Sequence, residues 1–367
     1  METPLLDIHK KLGANLGRFA NILTALDFGD PINEHITTRS YVAVFDVSHM
    51  TRIVVEGTDS ALLLDNLVPR NISKSKDGYM FGPTAFLNER AGFKDDVMLY
   101  RINSKRWLVV CNAINRNKIL HWLEHQACEL GIKDISITDI TFETAMIAIQ
   151  GPQAVYSLRS LGLELETLNK LQFITNVRYR NSSIDIVSRS GWTGEDGFEA
   201  IGNPDAIARL FIDLVSQAKA KPAGLIARDM LRIEMGFCLY GNEISEDISP
   251  IEARYWVFDL EKKSHYIGRD ALLQKLRNGV DRVRLGIRMK KNIKFIPRYG
   301  DKVYIPESNI EIGYITSGTF SPILQRSIAM AYIYTRYSIL GLEIEVAIRG
   351  RRYRGKLIDF PFIKPKT

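Results

Sequence analysis

Between residues 188 and 199 the chain reads Ser188-Arg189-Ser190-Gly191-Trp192-Thr193-Gly194-Glu195-Asp196-Gly197-Phe198-Glu199. Glycines at 191, 194 and 197 break any helical or strand period; they allow positive φ and close backbone approach to a ligand. The apolar, β-branched run Ile184-Asp185-Ile186-Val187 before them predicts a strand entering a turn. The turn carries one large ring, Trp192, and the carboxylates Glu195, Asp196 and Glu199. A ring that stacks beside acids that accept hydrogen bonds suits a flat, nitrogen-rich ligand. By itself the stretch reads equally well as an acidic surface loop around a packed Trp.

The surrounding chain narrows the choice. Its 367 residues are too many for one compact core and predict two or three domains. A hydrophobic content of 46% with 25% charged residues is that of a globular protein. No apolar run reaches the roughly 18 residues of a membrane span, and Met1 to Lys11, with Glu2 and Asp7, does not read as a targeting peptide. Cys111, Cys128 and Cys238 are odd in number and widely spaced. They predict a reduced, cytoplasmic chain with no disulfide frame and no metal site. The net charge of +7 is spread along the chain without a basic helix or zinc-finger spacing, which argues against nucleic acid. The densest basic cluster, Arg349 to Lys356, reads as a solvated turn and strand end, and mild positive charge suits an anionic small ligand or an acidic protein partner.

Local patterns predict strands at Thr51 to Glu56 and Arg106 to Cys111. They predict helices from a Thr58 or Asp59 cap to Leu67, from Asn115 to Leu130, and from the Asn203-Pro204-Asp205 start to about Ala218. In the second helix Ile119, Leu120, Trp122, Leu123 and Cys128 form the apolar stripe. After Asn278 only short apolar stretches separated by Gly, Pro, Asn and Ser remain, which predicts an all-β sandwich or barrel beyond a boundary near 275–282.

Hydrolase, zincin and nucleotide-loop motifs are absent from the sequence. His49 has no companion at ligand spacing and reads as a hydrogen-bonded structural histidine. Asp95-Asp96 opens a strand after the Gly92 turn; adjacent strand residues face opposite sides, so only one acid is expected to aim into a pocket, and a turn-stabilising role is the plainer alternative. Arg228, near the start of a helix after Pro222-Ala223-Gly224, sits where the macrodipole disfavours a cation. It therefore needs an anionic partner, either an internal carboxylate or one on a ligand.

In order and spacing these segments resemble the aminomethyltransferases, the T proteins of the glycine cleavage system, and their folate-binding relatives. The matching pieces are Phe45-Asp46-Val47-Ser48-His49-Met50, Gly92-Phe93-Lys94-Asp95-Asp96, Val109-Val110-Cys111-Asn112-Ala113 and Ile149-Gln150-Gly151-Pro152. Ser188 to Glu199, Pro222 to Asp229, Leu239-Tyr240-Gly241-Asn242, Tyr266-Ile267-Gly268-Arg269 and Ile315 to Pro322 continue the series. The resemblance implies an α+β, three-part cloverleaf-like fold around a channel for tetrahydrofolate. It divides the chain into residues 1–278, two interleaved α/β subdomains with the inserted one at roughly 52–138, and a β-barrel domain at 279–367. It implies transfer of a one-carbon unit from an aminomethyl group on a lipoylated carrier (H) protein to tetrahydrofolate, with release of ammonia. Carried over by position, Asp96 is the essential carboxylate. Glu199 grips the pterin, and Trp192 stands where a tyrosine is usual. Met50, Asn112 and Arg228 line the pocket, and Lys364 is the basic residue expected near the C-terminus.

Several positions depart from the family pattern. Phe19-Ala20-Asn21-Ile22 stands for Phe-Ala-Gly-Trp, Thr51 for a glycine, Ile226 for the second glycine of Gly-Leu-Gly-Ala-Arg-Asp, and Arg254 for the glycine of Glu-Ala-Gly; the tyrosine expected around Phe81 to Thr84 is missing. These changes touch the pocket walls and the donor entrance and spare the acids. They leave two rivals open: a tetrahydrofolate-dependent demethylase of a small methylated compound, and a folate-binding accessory protein without catalysis.

Overall fold

The structure is a computed structural model and describes residues 1–259, 263–293 and 295–364. Strand Ala43–Asp46 has no exposed residue because side chains on both of its faces are covered. Val42 and Val44 point into one core, Ala43 and Phe45 into another. Strand Ala145–Gln150 repeats the pattern, with Ala145, Ile147 and Ile149 on the first side and Met146 and Ala148 on the second. A period of two between two apolar layers is what a central strand requires.

Both strands belong to a six-stranded sheet. Its order is Phe173–Tyr179, Ser182–Ser188, Gly197–Gly202, Ala145–Gln150, Ala43–Asp46 and Lys221–Ala223, and the last pair alone is parallel. Helices Ala154–Ser160 and Pro204–Ser216 cover one face. Asn203 caps the second of these, accepting from Asp205 N at 2.9 Å, as its Asn-Pro-Asp start predicts.

The chain between Asp46 and Ala145 builds a five-stranded sheet in the order Tyr79–Leu87, Phe93–Asn103, Arg106–Cys111, Thr51–Glu56, Ser136–Asp139. Met80, Tyr100, Leu108 and Val110 of this sheet pack against Phe45, Met146, Ala148 and Ile186 of the first, so the two sheets share a core. Helices Ser60–Leu67 and Arg116–Glu129 cover the far face. The predicted Thr58 or Asp59 cap makes no capping bond: Thr58 donates to Asp134, and Asp59 accepts from Asp134 N at 3.3 Å. Cys128 lies on the exposed side of its helix rather than in the apolar stripe.

The third part is a closed barrel of six antiparallel strands. Arg351–Ile358 is its last strand, so the basic cluster read as a solvated turn and strand end is a turn at 349–350 leading into a full strand: Leu357 points inward while Arg351, Arg352 and Lys356 face solvent. Helix Leu225–Met235 joins the barrel to the sheets, Ile233 packing on Ile328 and Met330 of the barrel wall and Ala227 and Leu231 entering the shared core. The molecule is therefore α+β in three parts with a C-terminal barrel, as the resemblance implies.

Candidate functional site

Strand Phe93–Asn103 alternates strictly: Val97 and Leu99 face the helix-covered core, Met98 and Tyr100 the shared core. By the same alternation Asp95 lies on the helix side, fully buried, and Asp96 on the side where the sheets meet, half-buried. The two acids are nevertheless joined by one side chain. The register pairs Met98 with Val110, so two residues further on Asn112 comes level with Asp96. Asn112 stands just past the strand end, free of the alternation, and its Nδ2 donates to Asp95 Oδ1 at 2.6 Å and to Asp96 Oδ1 at 2.7 Å.

Asp95 accepts two further N–H groups, from Asn112 N at 3.0 Å and Asp96 N at 3.1 Å. Tyr255 OH donates to Asp96 Oδ2 at 3.2 Å, and its ring stacks on Phe93 with centroids 6.1 Å apart. Burial raises the Asp96 carboxyl above the usual range, against the pull of the Asn112 and Tyr255 donors. Burial and the neighbouring Asp96 charge raise Asp95 as well. Burial also raises the Tyr255 phenol, which stays a donor. Tyr255 was not anticipated; it lies 159 residues from Asp96, and nothing in its local sequence marks it.

The second cluster is the glycine-punctuated turn. Only Gly194 has positive φ, at +81°; a Cβ at Gly191 would fall 1.9 Å from Gln150 Oε1 and one at Gly197 2.4 Å from Ile149 O. Those two glycines thus serve close packing on the neighbouring strand rather than approach to a ligand. Gln150 holds the turn in return, donating to Ser190 O at 2.9 Å and accepting from Thr193 Oγ1 at 2.8 Å. Trp192, half-buried, lies beneath two guanidiniums, Arg228 at 5.3 Å and Arg232 at 5.8 Å from its ring centre.

Glu195 is buried in the turn rather than exposed on it: its side chain is 3% exposed and meets Arg39 at 3.1 Å. Arg39 also donates to Thr193 O at 2.6 Å and to Glu234 Oε2 at 2.8 Å, so one guanidinium clamps the turn to helix Leu225–Met235. Asp196 does behave as a turn residue, paired with Arg189 at 2.6 Å.

Glu199, 9% exposed, accepts from Ser190 Oγ at 2.6 Å. Ser190 Oγ meets Ser188 Oγ at 2.8 Å, and Ser188 Oγ meets Tyr100 OH at 3.4 Å. Tyr100 shares a strand face with Asp96, so a hydroxyl chain connects the acid of the turn to the strand of the acid pair. Arg228 is 7% exposed, and its Nη1 finds no hydrogen-bond partner among the described residues. Burial lowers its guanidinium pKa, opposed by the charge of Glu199.

Met50 packs half-buried on the shared core beside the site. His49 is packed rather than hydrogen-bonded: its ring meets Phe19 edge-on at 5.0 Å and Nδ1 has no partner among the described residues. Burial drops its pKa to about 4, Asp46 opposing and Arg228 and Arg52 reinforcing. Lys364 is exposed, and among the described residues no hydrogen bond or ion pair joins it to the other six. Phe362 N donates to Glu234 O at 2.8 Å, which brings the tail as far as the helix of Arg228.

Two stacked sheets that share a core, a terminal barrel, and a half-buried carboxyl where the sheets meet with a fully buried one behind it define a three-part, barrel-terminated protein with a candidate acid–base site. The model of the GCVT N-terminal domain matches residues 5–262, and that of the glycine cleavage T-protein C-terminal barrel domain matches residues 282–364. The chain is 40% identical to a probable aminomethyltransferase of Aeropyrum pernix over 366 residues, covering 98% of this chain and 96% of that protein. It is 37% identical to the aminomethyltransferase of Thermoanaerobacter pseudethanolicus over 367 residues, covering 99% and 97%. The crystal structure of the glycine cleavage system aminomethyltransferase T from Bartonella henselae superposes with a TM-score of 0.91 at 32% identity, covering 100% of this chain and 98% of that one. The chain belongs to the aminomethyltransferase family, the T proteins of glycine cleavage.

Proposed function

We propose that the protein transfers a one-carbon unit from an aminomethyl group on the lipoyl sulfur of a carrier protein to tetrahydrofolate, giving methylenetetrahydrofolate, ammonia and the reduced lipoyl arm. The observation that carries this reading is Asp96: a half-buried carboxyl with a raised pKa, held by Asn112 and Tyr255 where the two sheets meet. Tetrahydrofolate supplies the nitrogens that receive the one-carbon unit. The residues fit such a ligand. Arg228 Nη1 is a buried donor without a partner, and Trp192 and Glu199 offer a ring and a carboxylate beside it.

On this reading Glu199 accepts from the amino edge of the pterin, Trp192 packs along the ligand and Arg228 receives an anionic group. Met50 and Asn112 line the pocket, and Lys364 adds positive charge at the C-terminus. Asp96 orients the ligand and takes or returns a proton, and its raised pKa brings it toward the working pH as general acid–base catalysis requires. The domain division at 278 and a cytoplasmic working place belong to the same reading.

The test combines the protein with tetrahydrofolate, lipoylated carrier, glycine and the decarboxylating partner, following ammonia and methylenetetrahydrofolate. Turnover is expected, and Asp96→Asn is expected to lose it by a factor of roughly 10² or more. A folded protein that binds folate yet gives no product refutes the transfer, and near-normal turnover by Asp96→Asn removes that residue from its role.

A further inference from the structure

Asp95 has no contact with the face where the sheets meet, yet its contacts are those of a purposeful group. Its carboxylate, 0% exposed, receives three N–H donors: Asn112 N at 3.0 Å, Asn112 Nδ2 at 2.6 Å and Asp96 N at 3.1 Å. N–H groups donate and cannot accept, so all three are held by the Asp95 oxygens. Two of the three donors belong to Asn112, so Asp95 grips that residue by backbone and amide together. The remaining amide hydrogen of Asn112 is thereby aimed at Asp96 Oδ1, at 2.7 Å. Apolar side chains seal the far side, where Phe86, Val97 and Leu99 are wholly or almost wholly buried. Burial and the Asp96 charge push Asp95 up to about 8, so near neutral pH Asp95 holds Asn112 by its contacts rather than by a charge of its own.

We propose that Asp95 is a positioning residue for the site: it fixes the Asn112 amide against Asp96 and so maintains the hydrogen bond that the working carboxyl receives. Asp95 meets no ligand and exchanges no proton with one; it acts through Asn112. The inference rests on the reading of Asp96 as the working carboxyl of a tetrahydrofolate-dependent transferase.

Two substitutions each take a donor away from Asp96. Asp95→Asn sets an amide NH2 against the Asn112 N–H groups, so the Asn112 amide is no longer held against Asp96 and Asp96, losing a donor to its ionised form, titrates higher. Tyr255→Phe removes a donor to the ionised form, so Asp96 titrates higher. The experiment reads the full-length chain twice. The aspartate carboxyl carbons are titrated by 13C NMR, with Asp96→Asn assigning the resonance, and kcat/KM for the transfer is followed against pH.

The expected result is that the Asp96 resonance and the matching limb of the profile both move up in Asp95→Asn and in Tyr255→Phe. Should Asp95→Asn fail to fold, Asp95→Ser, which leaves one hydroxyl in place of the two oxygens that hold Asn112, is read in the same way. A folded Asp95 variant whose Asp96 titrates where the wild type does overturns the proposal, even if its rate is lower. Because the NMR arm needs no turnover, a wild type that shows both shifts and no transfer supports the pairing and refutes the functional reading alone.

Discussion

Replacing Arg39 by Met isolates the charge of the clamp from its volume. In the native chain Arg39 contacts Glu234 at 2.8 Å and Glu195 at 3.1 Å, with side chains 3%, 0% and 3% exposed in that order. Removing the cation leaves two carboxylates in a region that water does not reach, and breaking a buried pair from one side typically costs about 3–5 kcal/mol. Glu234 retains His35 Nε2 at 2.8 Å and Ser321 Oγ at 2.5 Å, which moderates its share; Glu195 loses its cation outright. We therefore expect a loss of about 3 kcal/mol at pH 8, read as a lower urea midpoint with the slope unchanged.

The charge origin of that penalty has a signature. Burial alone would raise Glu234, and His35 and Arg39 hold it below the usual carboxylate range. Without Arg39 the Glu234 carboxyl rises and takes up a proton more readily as the pH falls, so the penalty should shrink between pH 8 and pH 5. Adding Glu195→Gln to Arg39→Met should recover part of the loss, since the uncompensated charge is gone. A loss below about 1 kcal/mol, or one equal at both pH values, would refute the reasoning and make the clamp a packing contact.

Two further outcomes follow from the same geometry. His49 titrates at about 4 when folded against 6.5 in a free chain, so its contribution is intact above pH 6.5 and is lost as the pH falls through 4, by at most about 3 kcal/mol. His49→Gln should flatten the acid limb of the stability profile over that window, and an unchanged limb would show that the imidazole is not the group responsible. Arg254 sits at φ +49° at the end of helix Pro250–Ala253, where the family has glycine, and its ion pair with Asp359 is 33% and 48% exposed. Left-handed strain of about 1–2 kcal/mol outweighs an exposed pair worth at most about 1 kcal/mol, so Arg254→Gly should raise the thermal midpoint; a fall would reverse that ranking.

The elements were legible where local chemistry sufficed. The strands Thr51–Glu56 and Arg106–Cys111 end at the predicted residues, and the Asn203 cap is where its motif puts it. The barrel was readable as a run of short β stretches, but the strand Arg351–Ile358 was hidden by its outward arginines. The family glycine replaced by Asn21 was also interpretable in hindsight. Ala20 and Asn21 take φ of +46° and +65° in a hairpin, and Asn tolerates that region better than most residues.

What escaped the sequence reading was tertiary pairing between residues far apart in the chain. Arg39 meets Glu195 across 156 positions, and Tyr255 meets Asp96 across 159, and no periodicity carries that information. The acid pair shows how a correct local rule can still mislead. Alternation does send Asp95 and Asp96 to opposite faces, and burial confirms it. A face, however, is a property of the strand interior. At the end of the neighbouring strand Asn112 is no longer bound by alternation, and one amide with two hydrogens can serve a carboxylate on each side. The coupling of the two acids therefore depends on strand Arg106–Cys111 stopping one residue before Asn112. Extending that strand by one residue would turn the amide to a single face and separate the pair.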